Sequence, residues 1–212
     1  KSLLDLVAID SGHITLFDRP SRDAASRSKL AYLPERFLPP THLHGYDFLR
    51  FMLGMHECLA TPSEIEDTLG TLEFPIEKLK KPIRTYSKGT VQKLGIAVCV
   101  LANKPLLVLD EPMSGLDPQA RLILRQTLTR IKDSQKTLLM SSHSLGDIEQ
   151  TCDRILVLHG GQLRFDGTPR RFREVYQAPD ADGAFIECIP GEAFEKKVVN
   201  TLQKDGSPLS RG

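Results

Sequence analysis

The sequence predicts an α/β protein, a mainly parallel sheet with a helical insert, and three observations carry that expectation. Strand-like and helix-like segments alternate along the 212 residues, with no internal repeat and no low-complexity tract. Leu106-Leu107-Val108-Leu109 is an uninterrupted apolar run that ends on Asp110-Glu111, the pattern of a strand covered on both faces. Segments of helical period flank it: Val91, Leu94, Val98 and Leu101 before, Leu124, Leu128 and Ile131 after, each recurring at three- and four-residue intervals.

Taken in order, short strands are expected at His13 to Phe17 and Leu30 to Leu33, and the text turns helical from Gly45 to about Lys80. Within that stretch Thr61-Pro62-Ser63-Glu64 has the form of a capping box with proline at the first helical position, so a second helix starts there. Ser87 caps a helix to about Ala102, and Asp117-Pro118 opens one to about Ile131. The strand Thr137 to Met140 ends on Ser141-Ser142-His143. Arg154 to Leu158, Gly160-Gly161 and Gln162 to Phe165 predict a β-hairpin, and Thr168-Pro169 opens one more helix. Beyond Gln177 a strand is expected at Ala184 to Ile189, then a helix at Glu192 to Gln203 and a polar tail.

Composition narrows the function. Lys and Arg number 28 against 27 Asp and Glu, a formal charge of +1, so no electrostatic footprint for nucleic acid or anionic lipid exists and neither is an expected partner. The longest apolar run, Ile96 to Ala102, is far short of the ~18 residues of a membrane span, and no signal-peptide pattern stands near Lys1. Membrane contact is therefore expected only through another protein. Cys58, Cys99, Cys152 and Cys188 lack CxxC spacing and read as buried reduced thiols of a cytosolic protein. His42 and His44 form an HxH without a third ligand at recognisable spacing, which reads as a solvated loop.

The residues that carry chemistry lie in Leu109 to Asp117, L-D-E-P-M-S-G-L-D. Ligands of an open parallel sheet bind at the carboxyl ends of its strands, where this run delivers two consecutive acids whose side chains point in different directions. One carboxylate can hold Mg²⁺ through water while the next faces an attacking water as general base. Two acids alone would equally suit a strand end turning polar at the surface. The flanking letters decide: Asp110-Glu111-Pro112, Ser114-Gly115-Leu116-Asp117 and then Ser142-His143 stand in the order seen in the nucleotide-binding subunits of ATP-binding cassette (ABC) transporters. Eight matched letters at about one-in-twenty usage each leave a chance probability on the order of 10⁻¹⁰.

The chain thus resembles an ABC transporter ATPase, of the bacterial export type in its Tyr86-Ser87-Lys88-Gly89-Thr90 segment. The resemblance implies a P-loop NTPase-like ABC ATPase core with a mainly parallel sheet and a helical subdomain. It implies catalytic roles for Glu111, the base, and His143, the switch histidine that touches the γ-phosphate. It implies nucleotide binding by Ser87, Gly89, Asp110, Asp117 and Glu35, and Mg²⁺ held by Asp110 through water and by Glu35. Lys88 and Thr90 replace the family's Gly and Gln, and Glu35, in Tyr32-Leu33-Pro34-Glu35, replaces a Gln and adds charge beside the phosphates. Read singly, Ser87 is a helix cap, His143 a structural histidine and Glu35 a surface acid.

The implied organisation is an ABC ATPase domain over 1–176, with its helical subdomain at about 43–85, and a C-terminal extension over 177–212. The implied cofactors are ATP and Mg²⁺. The implied partners are a transmembrane permease subunit or domain and a second nucleotide-binding subunit in a head-to-tail dimer, at the cytoplasmic face of the membrane. Lys1-Ser2 has the last two letters of G-x-x-x-x-G-K-[ST], yet the helix behind it would last under ~2 turns before Asp10-Ser11-Gly12. The better alignment puts Lys1 to Leu4 mid-helix, with Leu3, Leu4 and Val7 as its apolar face and the phosphate loop upstream. The domain is then expected to lack its first strands and that loop, and to hydrolyse nothing alone. Two other readings stand beside this one: a soluble ABC-type ATPase of translation or DNA maintenance, and a non-hydrolysing regulatory relative.

Overall fold

The computed structural model describes residues 1–133 and 135–189, and among those residues seven strands and eight α-helices form. Two compact units form, Lys1 to His143 and a second that begins at Ser144.

The first unit opens on a single 3-10 turn, Ser2–Leu4, instead of a continuing helix. Asp5 enters the left-handed region at φ 57° and its N–H closes on the Ser2 carbonyl, which stops the turn. Leu3 and Leu4 pack against Leu16, Leu30 and Leu106, but Val7 is 50% exposed, so only the first two residues of the expected apolar face are inside. The strand expected at His13 to Phe17 is a small hairpin, β1 (Thr15–Leu16) with β2 (Arg19–Pro20), turned by Phe17 and Asp18, both left-handed. Asp18 suits such a turn but Phe17 does not, and a phenylalanine in the turn hid β2 in the sequence. A one-turn helix, α1 (Ala24–Arg27), comes next, with the Asp23 carboxylate accepting the Ala25 N–H at 2.9 Å.

β3 (Leu30–Leu33) then enters the main sheet. The helical stretch divides into α2 (Gly45–Met55), α3 (Pro62–Thr71) and two 3-10 turns, Ile76–Lys80 and Ile83–Thr85. The capping box at Thr61 is present in both directions: the hydroxyl accepts the Glu64 N–H and Glu64 accepts the Thr61 N–H at 2.7 Å.

α4 (Lys88–Leu101) is capped by Ser87, as expected, and it is the central piece of this unit. It buries more than the four-residue stripe read from the sequence: Ile96, Ala97 and Cys99 are inside as well, because the sheet covers one side and α2 and α3 the other. Burial pushes the Cys99 thiol up to about 12, so it stays protonated and inert. At Gly95 the helix meets β3 so closely that an added Cβ would fall 2.6 Å from Leu33 Cδ1 and 2.8 Å from the Phe37 ring.

β4 (Leu106–Asp110) is the middle strand, parallel to β3 on one side and to β5 (Thr137–Ser141) on the other. α5 (Pro118–Asp133) connects them and turns Leu124, Leu128 and Ile131 inward, as its period predicts. The register pairs Leu33 with Leu109 and Asp110 with Ser141, so three strands end together.

The second unit contains α6 (Leu145–Thr151), the hairpin β6 (Ile155–His159) and β7 (Gln162–Gly167), α7 (Pro169–Val175) and α8 (Ala181–Cys188). Gly160 and Gly161, at φ 58° and 73°, make the hairpin turn. The core gathers Ile155, Val157, Phe165, Phe172, Ala184 and Cys188, with the Phe165 and Phe172 ring centroids 4.8 Å apart. The strand expected at Ala184 to Ile189 is instead α8: Asp180 accepts the Gly183 N–H at 2.8 Å as a cap, and Ala181, Ala184 and Cys188 bury one helical face. The helix expected at Glu192 to Gln203 lies outside the described residues.

Candidate functional site

The carboxyl ends of β4 and β5 form the site. Asp110 closes β4, and its carboxylate accepts a short hydrogen bond from the Ser141 hydroxyl at the end of β5. The same Ser141 oxygen accepts the Glu111 N–H at 3.0 Å. Glu111 itself stands at φ 48°, left-handed for a residue with a side chain, and the two adjacent carboxylates take different partners, Asp110 the Ser141 hydroxyl and Glu111 the His143 ring. His143, two residues past β5, brings Nδ1 to 2.8 Å from Glu111 Oε2. The histidine side chain is 78% exposed and the carboxylate 17%, so the pair presents an open imidazole in front of a shielded acid.

The Asp110 carboxylate also acts on a neighbouring strand. With burial the larger cause and the Asp110 charge the second, the Tyr32 phenol on β3 is held above its ordinary pKa and stays neutral. Glu35 lies two residues past the end of β3, at the same end of the sheet and exposed. Among the described residues no hydrogen bond or ion pair joins it to Asp110, Glu111 or His143.

Asp117 is exposed and its Oδ1 accepts the Ala120 N–H at 2.9 Å, which caps α5. Ser87 caps α4 in the same way, its Oγ accepting the Thr90 N–H at 3.2 Å and lying 2.9 Å from the Thr90 hydroxyl. Gly89 is next to the loop of the acids: a Cβ on it would fall 3.7 Å from the Gly115 carbonyl oxygen. The structure therefore joins Glu111 to His143 directly and Asp110 to Glu111 through Ser141, and it sets Gly89 beside the far end of the same loop. Ser141 is the member that the sequence does not mark; it reads as a strand end, and nothing in its spacing distinguishes it from Ser142.

Mg²⁺ fits this donor set in one form only. No group of three or more His, Cys, Asp or Glu side chains among the described residues could hold a metal alone. One carboxylate with a hydroxyl beside it suits a hard cation that keeps its waters and takes its other ligands from phosphate oxygens.

Residues 1–114 match the family described as ABC transporter. The chain belongs to that family. An uncharacterised ABC transporter ATP-binding protein of Synechocystis is 34% identical over 209 residues, 96% of this chain and 58% of that protein. A second, from Nostoc, is 33% identical over 171 residues, 79% of this chain and 51% of its own length. The chain thus spans little more than half of the curated relatives it matches. A solved structure titled "Structure of ATP binding subunit of ABC transporter" superposes with a TM-score of 0.77 at 29% identity, covering 88% of this chain and 80% of that one. The α/β fold with its parallel sheet and helical segment is that of an ABC ATP-binding subunit. Among the described residues no helix is long and apolar enough to cross a membrane.

Proposed function

We propose that this ABC chain hydrolyses ATP and that the hydrolysis drives a transmembrane partner, a permease subunit or domain, at the cytoplasmic face of the membrane, with export favoured. The observation that carries the reading is the 2.8 Å pair of Glu111 and His143 at the end of β4. In this reading two chains meet head to tail and Ser87 to Gly89 of one closes over the nucleotide of the other, offering a hydroxyl and helix N-terminal N–H groups to phosphate oxygens.

In this reading each group has a task. Glu111 takes the proton of a water that attacks the γ-phosphorus in line; the bond from that phosphorus to the bridging oxygen breaks, leaving ADP and inorganic phosphate. His143 holds the Glu111 carboxylate in place from its exposed side and offers its imidazole to the γ-phosphate. Ser141 ties the Asp110 carboxylate to the Glu111 backbone and so holds both acids in place. Asp110 would hold Mg²⁺ through water, with Glu35 as the second candidate ligand, and the cation would neutralise charge developing on the phosphates. Asp117, at the foot of the same loop, would face the nucleotide across the dimer.

The partner reading draws support from the helical segment. Tyr46, Leu59 and Ile76 are exposed apolar side chains, Leu59 at 99%, and all three line one cleft of about 440 Å³ between α2 and α3. Exposed apolar surface of this kind around a cleft suits a protein partner.

The test is Glu111→Gln in the full-length protein with its membrane partner. ATP binding is retained, turnover falls by about 10²–10⁴-fold, and closed dimers accumulate in ATP by sedimentation. Unchanged hydrolysis removes Glu111 as the base.

A further inference from the structure

Ser87 to Gly89 and Glu111 lie on one chain, yet in the head-to-tail dimer proposed above they serve two different nucleotides. Any coupling between those nucleotides through this chain rests on that reading of the dimer. The two segments are fastened together inside the chain by contacts that neither motif requires for its own chemistry.

Gln92, one turn into α4 and 5% exposed, donates Nε2 to the Pro112 carbonyl at 3.1 Å. Pro112 comes directly after Glu111 and is itself among the most buried side chains of the protein. A buried carbonyl that loses its donor suffers a desolvation penalty, so this bond fixes the distance between α4 and the loop. The second fastening is Lys88. Its aliphatic stem lies across Gly115: a Cβ on Gly115 would fall 2.7 Å from Lys88 Cε and 2.8 Å from Cδ. Gly115 also stands at φ 75°, so only glycine permits both the turn and the overlying lysine. Met113, between these two points, and Leu116, directly after the second, are buried and anchor the loop into the core.

We propose that Gln92 and Lys88 are positioning residues that make Ser87–Gly89 and the Glu111–Gly115 loop move as one body, so that seating a phosphate on Ser87 sets Glu111 for the other nucleotide. Lys88 does this with its stem. The position is taken by glycine in the family pattern that the sequence resembles, and here a long side chain bridges to the loop instead.

The experiment uses the full-length protein with its membrane partner and compares kcat, the Hill coefficient for ATP and the Kd of a non-hydrolysable ATP analogue. Gln92→Met keeps the length and loses the donor; Lys88→Ala loses stem and charge; Lys88→Met keeps the stem alone. In Gln92→Met and Lys88→Ala, kcat is expected to fall by ~3- to 30-fold and the Hill coefficient to approach one, with Kd within about 2-fold of the parent. Lys88→Met is expected to restore most of the Hill coefficient. Unchanged cooperativity and kcat in both Gln92→Met and Lys88→Ala overturn the proposal, and a Lys88→Met as impaired as Lys88→Ala overturns the role of the stem in favour of the ammonium. Should Gln92→Met fail to fold, the exposed Lys88 pair decides alone. Glu111→Gln run in parallel separates the two levels: if it hydrolyses normally the functional reading fails, and if it is dead while the other variants are normal only the coupling fails.

Discussion

A single hydroxyl organises the acids at the end of β4. Ser141 Oγ donates to Asp110 and accepts the Glu111 N–H at 3.0 Å, so one atom ties a carboxylate, a strained backbone and the next strand together. Without it the Glu111 amide loses its partner and the left-handed turn at φ 48° loses its brace. Ser141→Ala is expected to lower phosphate release by ~10- to 100-fold, the range of losses when a group that orients a ligand is removed, while Ser141→Thr keeps most of the activity. Equal rates in the two variants would show that the hydroxyl does nothing. Asp110, Glu111 and His143 are legible only through the letters around them, Leu109 to Asp117 and Ser142-His143, because two acids or a histidine at a strand end would equally suit a polar surface turn or a structural role. Ser141 is not legible, because a serine ending a strand is ordinary and its role depends on the neighbour across the register.

Helices with explicit caps are the elements most readable in the sequence. Thr61, Ser87 and Thr168 each cap as their spacing predicts, since a capping hydroxyl answers a local demand of the first turn and needs no tertiary information. Where a cap stands before a short apolar run the period is ambiguous, and α8 reads as a strand although Asp180 supplies the cap. α4 shows the opposite limit: its ends are readable, but its burial all round depends on β3, α2 and α3 and is not. That burial makes Gly95 specific. An added methyl would meet Leu33 Cδ1 at 2.6 Å and the Phe37 ring at 2.8 Å, so at least one of these packed side chains must shift to admit it. Gly95→Ala is expected to destabilise the first unit by ~1–3 kcal/mol, despite the higher helix propensity of alanine, as read from urea unfolding. A stabilised variant would mean that propensity outweighs packing at this contact.

At the scale of the whole molecule, register does what no motif could. The order β3-β4-β5 with all three parallel brings residues 35, 110, 111, 141 and 143 to one end of a sheet from segments separated by helices. The apolar run of β4 gives away the middle strand, but pairing partners are set by topology and lie beyond single-sequence reading. The same molecule leaves apolar side chains outward in its helical segment, where a water-facing protein would place polar ones. Leu59 is 99% exposed, and with Tyr46 and Ile76 it rims the cleft between α2 and α3, far along the chain from the acids. If a transmembrane partner covers that cleft, burying these groups contributes at ~25 cal/mol per Å² removed from water, and a carboxylate among them would be desolvated without a counter-charge. Leu59→Asp with Ile76→Asp is therefore expected to move the full-length protein from the membrane pellet to the supernatant on fractionation. Both positions are exposed, so folding and nucleotide binding should stay at parent levels in the same preparations. A double variant that still sediments with the membrane would place the partner's contact elsewhere on the chain.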